Sequence, residues 1–259
     1  MPHILNVHSL PSLVADEELA GSVAVVIDVL RASTTIVTAL ASGAREILPC
    51  EDVDQARVEA ARLPPETTLL GGERQAMPID GFDLGNSPSE YSSEKVAGKT
   101  IVFTTTNGTR ALARCHGASR ILLGAFVNAS AVLDALAGAE RVHLVCAGTD
   151  EQMSYDDVLF AGMLVERLQQ RRDMLYELNA QAITAGETWK HAFALPISLG
   201  AEPLPAERLA EKLQKSLGGE SLVKAGLKED ILAAAQVDRY AIVPELNLNS
   251  GRVIASAVA

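Results

Sequence analysis

This 259-residue chain is short of cysteine, of positive charge and of long apolar runs. Cys50, Cys115 and Cys146 are its three cysteines, none in a CxxC pair, so a disulfide framework or a zinc knuckle is not expected. Twenty-two Lys and Arg stand against thirty-three Asp and Glu, a formal net charge of -11. That balance opposes binding to nucleic acid or to an anionic membrane, because both need clustered cations. No apolar stretch approaches the length of a membrane span, and no charged segment followed by an apolar one opens the chain. A reducing, cytoplasmic setting is the expectation, and homo-oligomerisation is left open. Also missing are GxxxxGK[ST], GxGxxG after a strand, GxSxG and HExxH, and the five histidines show no metal spacing. An anionic ligand would therefore need a local positive site or a divalent cation inside a pocket.

What is present is an alternation of short β-rich runs with helical patterns. Strands are expected at 4–7, 23–29, 46–49, 68–70, 100–104, 120–124 and 142–146. Helices are expected at 33–42, 53–63, 107–116 and 129–137, each stopped by glycine or proline. Runs such as VAVVIDVL lack alternation and suit strands covered on both faces. The fold class that follows is a three-layer α/β/α sandwich on a mainly parallel, or mixed, sheet. We expect one domain over 1–259, helix-rich from about 155, with helices at 156–171 and 174–191. A looser stretch holding Pro196, Pro203 and Pro205 follows, then two helices and a last strand near 240–243.

In a sheet of this kind ligands gather beyond the carboxyl ends of strands, and the polar clusters fall there. Thr104-Thr105-Thr106-Asn107-Gly108-Thr109-Arg110 follows an apolar run and reads as a strand ending in a polar turn that opens a helix. Such a turn offers unpartnered N–H groups and a dipole to a phosphate, and Arg110 adds a charged fork. The simpler alternative is that Thr106 or Asn107 caps the helix. Asp28 is followed by Arg31, Ser33 and Thr34; as a buried anion it needs a metal, an arginine or hydrogen bonds. Glu73 lies just past a strand in a glycine-rich loop that leads to Asn86 and Ser87, where Ser87-Pro88 with Glu90 also has the grammar of a helix start. Asp156 and Asp157 suit either a helix first turn or a hard cation. Acidic ligands beside phosphate donors point to metal-assisted phosphoryl chemistry.

Five segments in this order resemble the 2-phosphosulfolactate phosphatase family: IDVLRASTTIVTALASGA (27–44), GGERQ with GFDLGNSPSEY (71–91), TTTNGTRAL (104–112), GAFVNASAV (124–132) and CAGT with SYDDVLFAGML (146–164). The resemblance is close over about 23–168, with a weaker echo in AGLKEDILAAAQVDRYAIVPE. It implies an α/β/α fold and a magnesium-dependent hydrolysis of 2-phospho-3-sulfolactate to sulfolactate and phosphate, a step of coenzyme M synthesis. It places Mg2+ near Asp28, Glu73 and Asp157. Asp28, Arg31 and Arg110 are the implied catalytic residues. Ser33, Thr34, Asn86, Ser87, Thr105, Thr106, Asn107, Gly108 and Thr109 are the implied substrate contacts. Water is the expected attacking group, because no serine or cysteine has a base nearby in sequence. The remaining alternatives are a phosphatase for another small phosphorylated carboxylic acid, and a non-catalytic binding protein for such an acid.

Overall fold

Strands and helices alternate along the chain as the short apolar runs dictate. The computed structural model describes residues 3–171, 174–198 and 204–256. Its strands are β1 (His3–His8), β2 (Val23–Ile27), β3 (Glu46–Pro49), β4 (Thr68–Arg74), β5 (Met77–Pro78), β6 (Thr100–Thr104), β7 (Arg120–Gly124), β8 (Arg141–Cys146), β9 (Tyr176–Leu178), β10 (Val243–Asn247) and β11 (Arg252–Ser256). Its helices are α1 (Ala32–Ala41), α2 (Val53–Ala61), α3 (Ser93–Val96), α4 (Gly108–Arg114), α5 (Ala129–Ala135), α6 (Tyr155–Gln170), α7 (Ala180–Ser198), α8 (Ala206–Leu213), α9 (Leu217–Lys224) and α10 (Lys228–Ala234). All eleven strands join one sheet in the order β5-β4-β6-β3-β11-β10-β7-β2-β8-β1-β9.

The sheet is buried on both faces, as β2 shows most simply. Its side chains alternate between two cores: Val25 and Ile27 pack with α5, α6 and α7, whereas Ala24 and Val26 pack with α1 and α4. Helices thus cover both sides of an α/β sandwich. Pairing is parallel between β2 and β7, β2 and β8, β1 and β8, β1 and β9, β3 and β6, and β4 and β6. The exceptions are the edge strand β5 and the β10–β11 hairpin, which are antiparallel to their neighbours. Among the described residues no helix is long and apolar enough to cross a membrane.

Two expectations near the C-terminal end need correction. The helix expected from 174 begins only at Ala180, because Tyr176–Leu178 pairs with β1 as an edge strand. Asn179 marks the switch. Its Oδ1 accepts the Ala182 N–H at 2.8 Å as a helix cap and the Val7 N–H at 3.2 Å, while its amide donates to the Val7 carbonyl at 2.9 Å. The last strand lies at 243–247 rather than 240–243 and turns back as β11. Asn247 Oδ1 accepts two N–H groups of that turn and Gly251 takes φ +67°. Of the three prolines expected in a looser stretch, Pro196 lies within α7, Pro205 precedes α8, and Pro203 is outside the described residues.

Candidate active site

The carboxyl ends of β2, β4 and β6 converge on a cavity of about 270 Å³. Asp28, Arg31, Glu73, Asn86, Thr105, Thr106 and Asn107 line it. Thr149, Asp150 and, from α9, Gly218, Ser221 and Leu222 line it as well. Two glycines allow this approach. Gly72, at φ +134°, has no room for a side chain against the Thr104 backbone, so the ends of β4 and β6 lie close together. At Gly108 a Cβ would come within 2.7 Å of both the Ala32 methyl and Asp28 Oδ2, so the start of α4 sits directly on the Asp28 carboxylate.

The strand-end turns hold carboxylates of the protein itself. Asp28 Oδ1 accepts the Ala32 N–H at 3.1 Å and the Asp28 carbonyl accepts the Ser33 N–H at 2.9 Å, so Asp28 takes up two free N–H groups at the start of α1, whose N-cap residue is Arg31. Glu73 bridges two turns: Oε1 accepts the Thr106 N–H at 2.9 Å and Oε2 the Ala76 N–H at 2.7 Å. The Thr106 N–H, expected to meet a phosphate, is therefore occupied by Glu73. Ala76 stands at φ +63° beside Gln75 at φ +52°, a left-handed pair that lets the loop fold back over the cavity.

Charge in the site is mainly negative. Burial raises the Asp28 carboxyl to about 7, helped by the nearby Asp156 and Glu73, while the Ala32 N–H and Arg31 oppose the rise. Burial also holds Asp157 well above the usual carboxylate range, reinforced by Asp156 and Asp28. Arg31 is the only Lys or Arg lining the cavity among the described residues, and its Nη1 is already paired with Asp230 Oδ2 at 2.8 Å. A polyanionic ligand would meet more like charge than opposite charge here. A divalent cation fits this donor set, because Asp28 and Glu73 expose hard oxygens and their backbone bonds leave lone pairs free. Two buried polar atoms at the wall, Asn86 Oδ1 and Thr105 Oγ1, have no hydrogen-bond partner. Buried groups of that kind need a ligand or solvent to satisfy them.

Other expected site residues take different places. Asp157 does not line the cavity; its Oδ1 accepts the Val29 N–H at 2.9 Å and its Oδ2 the Gly148 N–H at 3.0 Å, tying the ends of β2 and β8 from behind. Asp156 likewise accepts the Leu30 N–H at 3.1 Å and the Ser154 hydroxyl. Arg110 is exposed and faces a separate depression with Glu51, Arg114 and His116, because the third residue of α4 points away from the turn. Ser33, Thr34 and Thr109 direct their hydroxyls to the carbonyls of Val26, Val29 and Thr105. Ser87 donates to Asp230 Oδ1 at 2.5 Å. Gly108 contributes close packing rather than a wall. Sequence reasoning passed over Asp230, Gln75, Ala76, Ser221 and Gly218; the segment AGLKEDILAAAQVDR, which contains Asp230, was the available signal for the first.

Metal ligation elsewhere is weakly supported. Among the described residues, one group of three potential ligands has donor atoms within 4.8 Å of one another: His8, Glu18 and His143. The two imidazoles lie within 6° of parallel, with His8 Nε2 3.0 Å from His143 Nδ1. Their centroid separation of 5.3 Å is that of two rings bonded edge to edge, so His8 Nε2 and His143 Nδ1 already share the proton that a metal at either would displace, while His143 Nε2 has no hydrogen-bond partner. Asp28, Glu73 and Asp157 do not form such a tight group. Asp28 and Glu73 are the two cavity carboxylates that could hold a cation with solvent completing its shell, as magnesium is commonly held.

A family model described as 2-phosphosulpholactate phosphatase matches residues 8–249, which include every cavity wall. A protein of Symbiobacterium thermophilum named "Probable 2-phosphosulfolactate phosphatase" is 42% identical over 229 residues, covering 88% of this chain and 92% of its own. Proteins of the same name from Caldanaerobacter subterraneus and Thermotoga maritima are 37% and 38% identical, covering 93% and 86% of this chain and 95% and 88% of theirs. The chain belongs to the 2-phosphosulfolactate phosphatase family, a family of hydrolases that act on phosphoric monoesters.

Proposed function

We propose that this protein hydrolyses 2-phospho-3-sulfolactate to sulfolactate and phosphate with magnesium bound at Asp28 and Glu73, in a pathway of the coenzyme M type. The observation that carries the reading is one cavity in which two carboxylates, Arg31 and the unpartnered Asn86 Oδ1 and Thr105 Oγ1 meet. Magnesium there would offset the charge of the ester and polarise its phosphorus–oxygen bonds.

The chain's own groups then have definite tasks. Asp28 and Glu73 hold the cation, each fixed by a backbone N–H that prevents rotation. Arg31 supports the equatorial oxygens of the phosphoryl group, whose charge is spread in the transition state. Thr105 Oγ1 donates to a phosphate oxygen, whereas Asn86 Oδ1, an acceptor, suits the cation or a water on it. Thr149 and Ser221, which also line the cavity, are left for the remainder of the substrate. Water attacks phosphorus: its oxygen bonds to phosphorus as the ester bond breaks, one of its protons ends on the leaving oxygen, which becomes the alcohol of sulfolactate, and the other stays with the phosphate. A cysteine nucleophile is disfavoured, since burial pushes Cys50 and Cys115 up to about 12 and Cys146 higher than its ordinary range. Three buried free cysteines also support the cytoplasmic setting.

Phosphate release from phosphosulfolactate, compared with phospholactate under the same conditions, tests the substrate. Faster release from the sulfonated ester is the expected result. Equal rates would favour a phosphatase for a broader set of small phosphorylated acids.

A further inference from the structure

Asp230 sits in the first turn of α10, far along the chain from the cavity residues, with only 3% of its surface exposed. A carboxylate so buried is costly unless its oxygens are satisfied. Both are: Oδ2 accepts Arg31 Nη1 at 2.8 Å and Oδ1 accepts the Ser87 hydroxyl at 2.5 Å. Arg31 and Ser87 are themselves 6% and 7% exposed. One acid therefore fastens Arg31 just after β2 and Ser87 in the loop after β5 to the C-terminal helices.

We propose that Asp230 is the positioning residue that sets the Arg31 guanidinium in the cavity and keeps it apart from Asp28 and Glu73. The inference deepens the phosphatase reading and rests on it. Arg31 has other carboxylates within reach of its charge, since Asp28 feels it and Glu73 lines the same cavity. A guanidinium that swung onto either carboxylate would neutralise the pair that a cation needs. Held at one fork by Asp230, and by the Ala76 carbonyl at 3.4 Å on the other nitrogen, it keeps further N–H donors of a five-donor group for an anion. Asp230 thus separates the positive side of the site from the negative side. It acts through Arg31 and touches no reacting atom.

The test is a double-mutant cycle on the full chain, read in two ways. D230N is expected to lower kcat/KM by about 10²-fold, the scale of an ångström-sized misplacement of a catalytic group. It is also expected to raise the magnesium concentration needed for half-maximal rate. D230E should recover part of both losses. The losses should not add: R31A/D230N should be no less active than R31A alone, and more stable to heat, because an unpaired buried carboxylate is removed. The second readout needs no turnover. With magnesium present, inorganic phosphate should raise the melting temperature of wild type and D230E, and D230N should lose that shift. Ser87→Ala provides a folded, milder variant if D230N does not fold, with a smaller loss in the same direction. Additive losses, or a D230N protein with an unaltered phosphate shift, would overturn the proposal. Absence of turnover in wild type with the phosphate shifts as described would reject the substrate and leave the Asp230 assignment standing.

Discussion

At the scale of single residues, carboxylates of the chain itself take up backbone N–H groups of the turns around the cavity. Asp28 accepts from Ala32 at the start of α1, and Glu73 accepts from Ala76 and from Thr106, in the turn where a phosphate was expected. The turn chemistry was legible in the sequence; the occupant was not, because a cap and an anion site use the same N–H groups. Asp157 illustrates the same ambiguity, since a strand-end acid can ligate a metal or tie two backbones, and here it ties Val29 to Gly148. Asp28 carries a consequence for stability. Its folded-state carboxyl titrates at about 7 against an ordinary value of 3.8, so the folded protein keeps a proton that the unfolded chain has released. Between those values the folded state binds more protons, and metal-free stability falls as pH rises through the window. A cation competes with that proton and stabilises most where the proton is gone. Magnesium should raise the melting temperature more at pH 8 than at pH 5, and Asp28→Asn should abolish the difference. An equal gain at both pH values would remove Asp28 from the cation site.

At the scale of elements, the approach of α1, α4 and the β4 loop decides whether the cavity exists. Most of these elements were readable from short apolar runs with glycine or proline stops, and β3, β6 and β7 coincide with the expected bounds. Where reading failed, a long-range partner decided the outcome. Tyr176–Leu178 is a strand because β1 offers an edge, and nothing local in that segment announces it. The direction of Arg110 was equally hidden, since it depends on which face of α4 meets Asp28. Gly108 and Arg110 therefore make a sharp contrast. Gly108→Ala puts a methyl 2.7 Å from Asp28 Oδ2 and the Ala32 methyl, so both must shift, and it is expected to cut kcat/KM by about 10²-fold and to lower the melting temperature. Arg110→Ala should change the rate less than about twofold, as is usual for an exposed side chain outside a site. Steady-state assay of both variants checks the pair; a large loss in Arg110→Ala would return that arginine to the phosphate site.

At the scale of the whole molecule, the parallel sheet brings together residues from the two ends of the chain. The β10–β11 hairpin lies in the middle of the sheet, between β3 and β7, where its ladders to those neighbours are short. Ion pairs compensate: Arg120 of β7 holds Glu245 of β10 through two bonds of 2.9 Å, and Arg252 of β11 pairs with Glu46 of β3. The C-terminal helices then reach back over the cavity through Asp230 and Ser221. The sequence pattern announced an α/β sandwich, but the hairpin at its centre depends on pairings more than a hundred residues apart, which periodicity cannot encode. The central claim is that Asp28 and Glu73 gather a divalent ion and a small anionic ester in one cavity. Its most direct test is phosphate release from 2-phosphosulfolactate by protein stripped of metal, before and after magnesium is restored. The account predicts release only with magnesium and none from Asp28→Asn in either condition; full activity in excess chelator would contradict it.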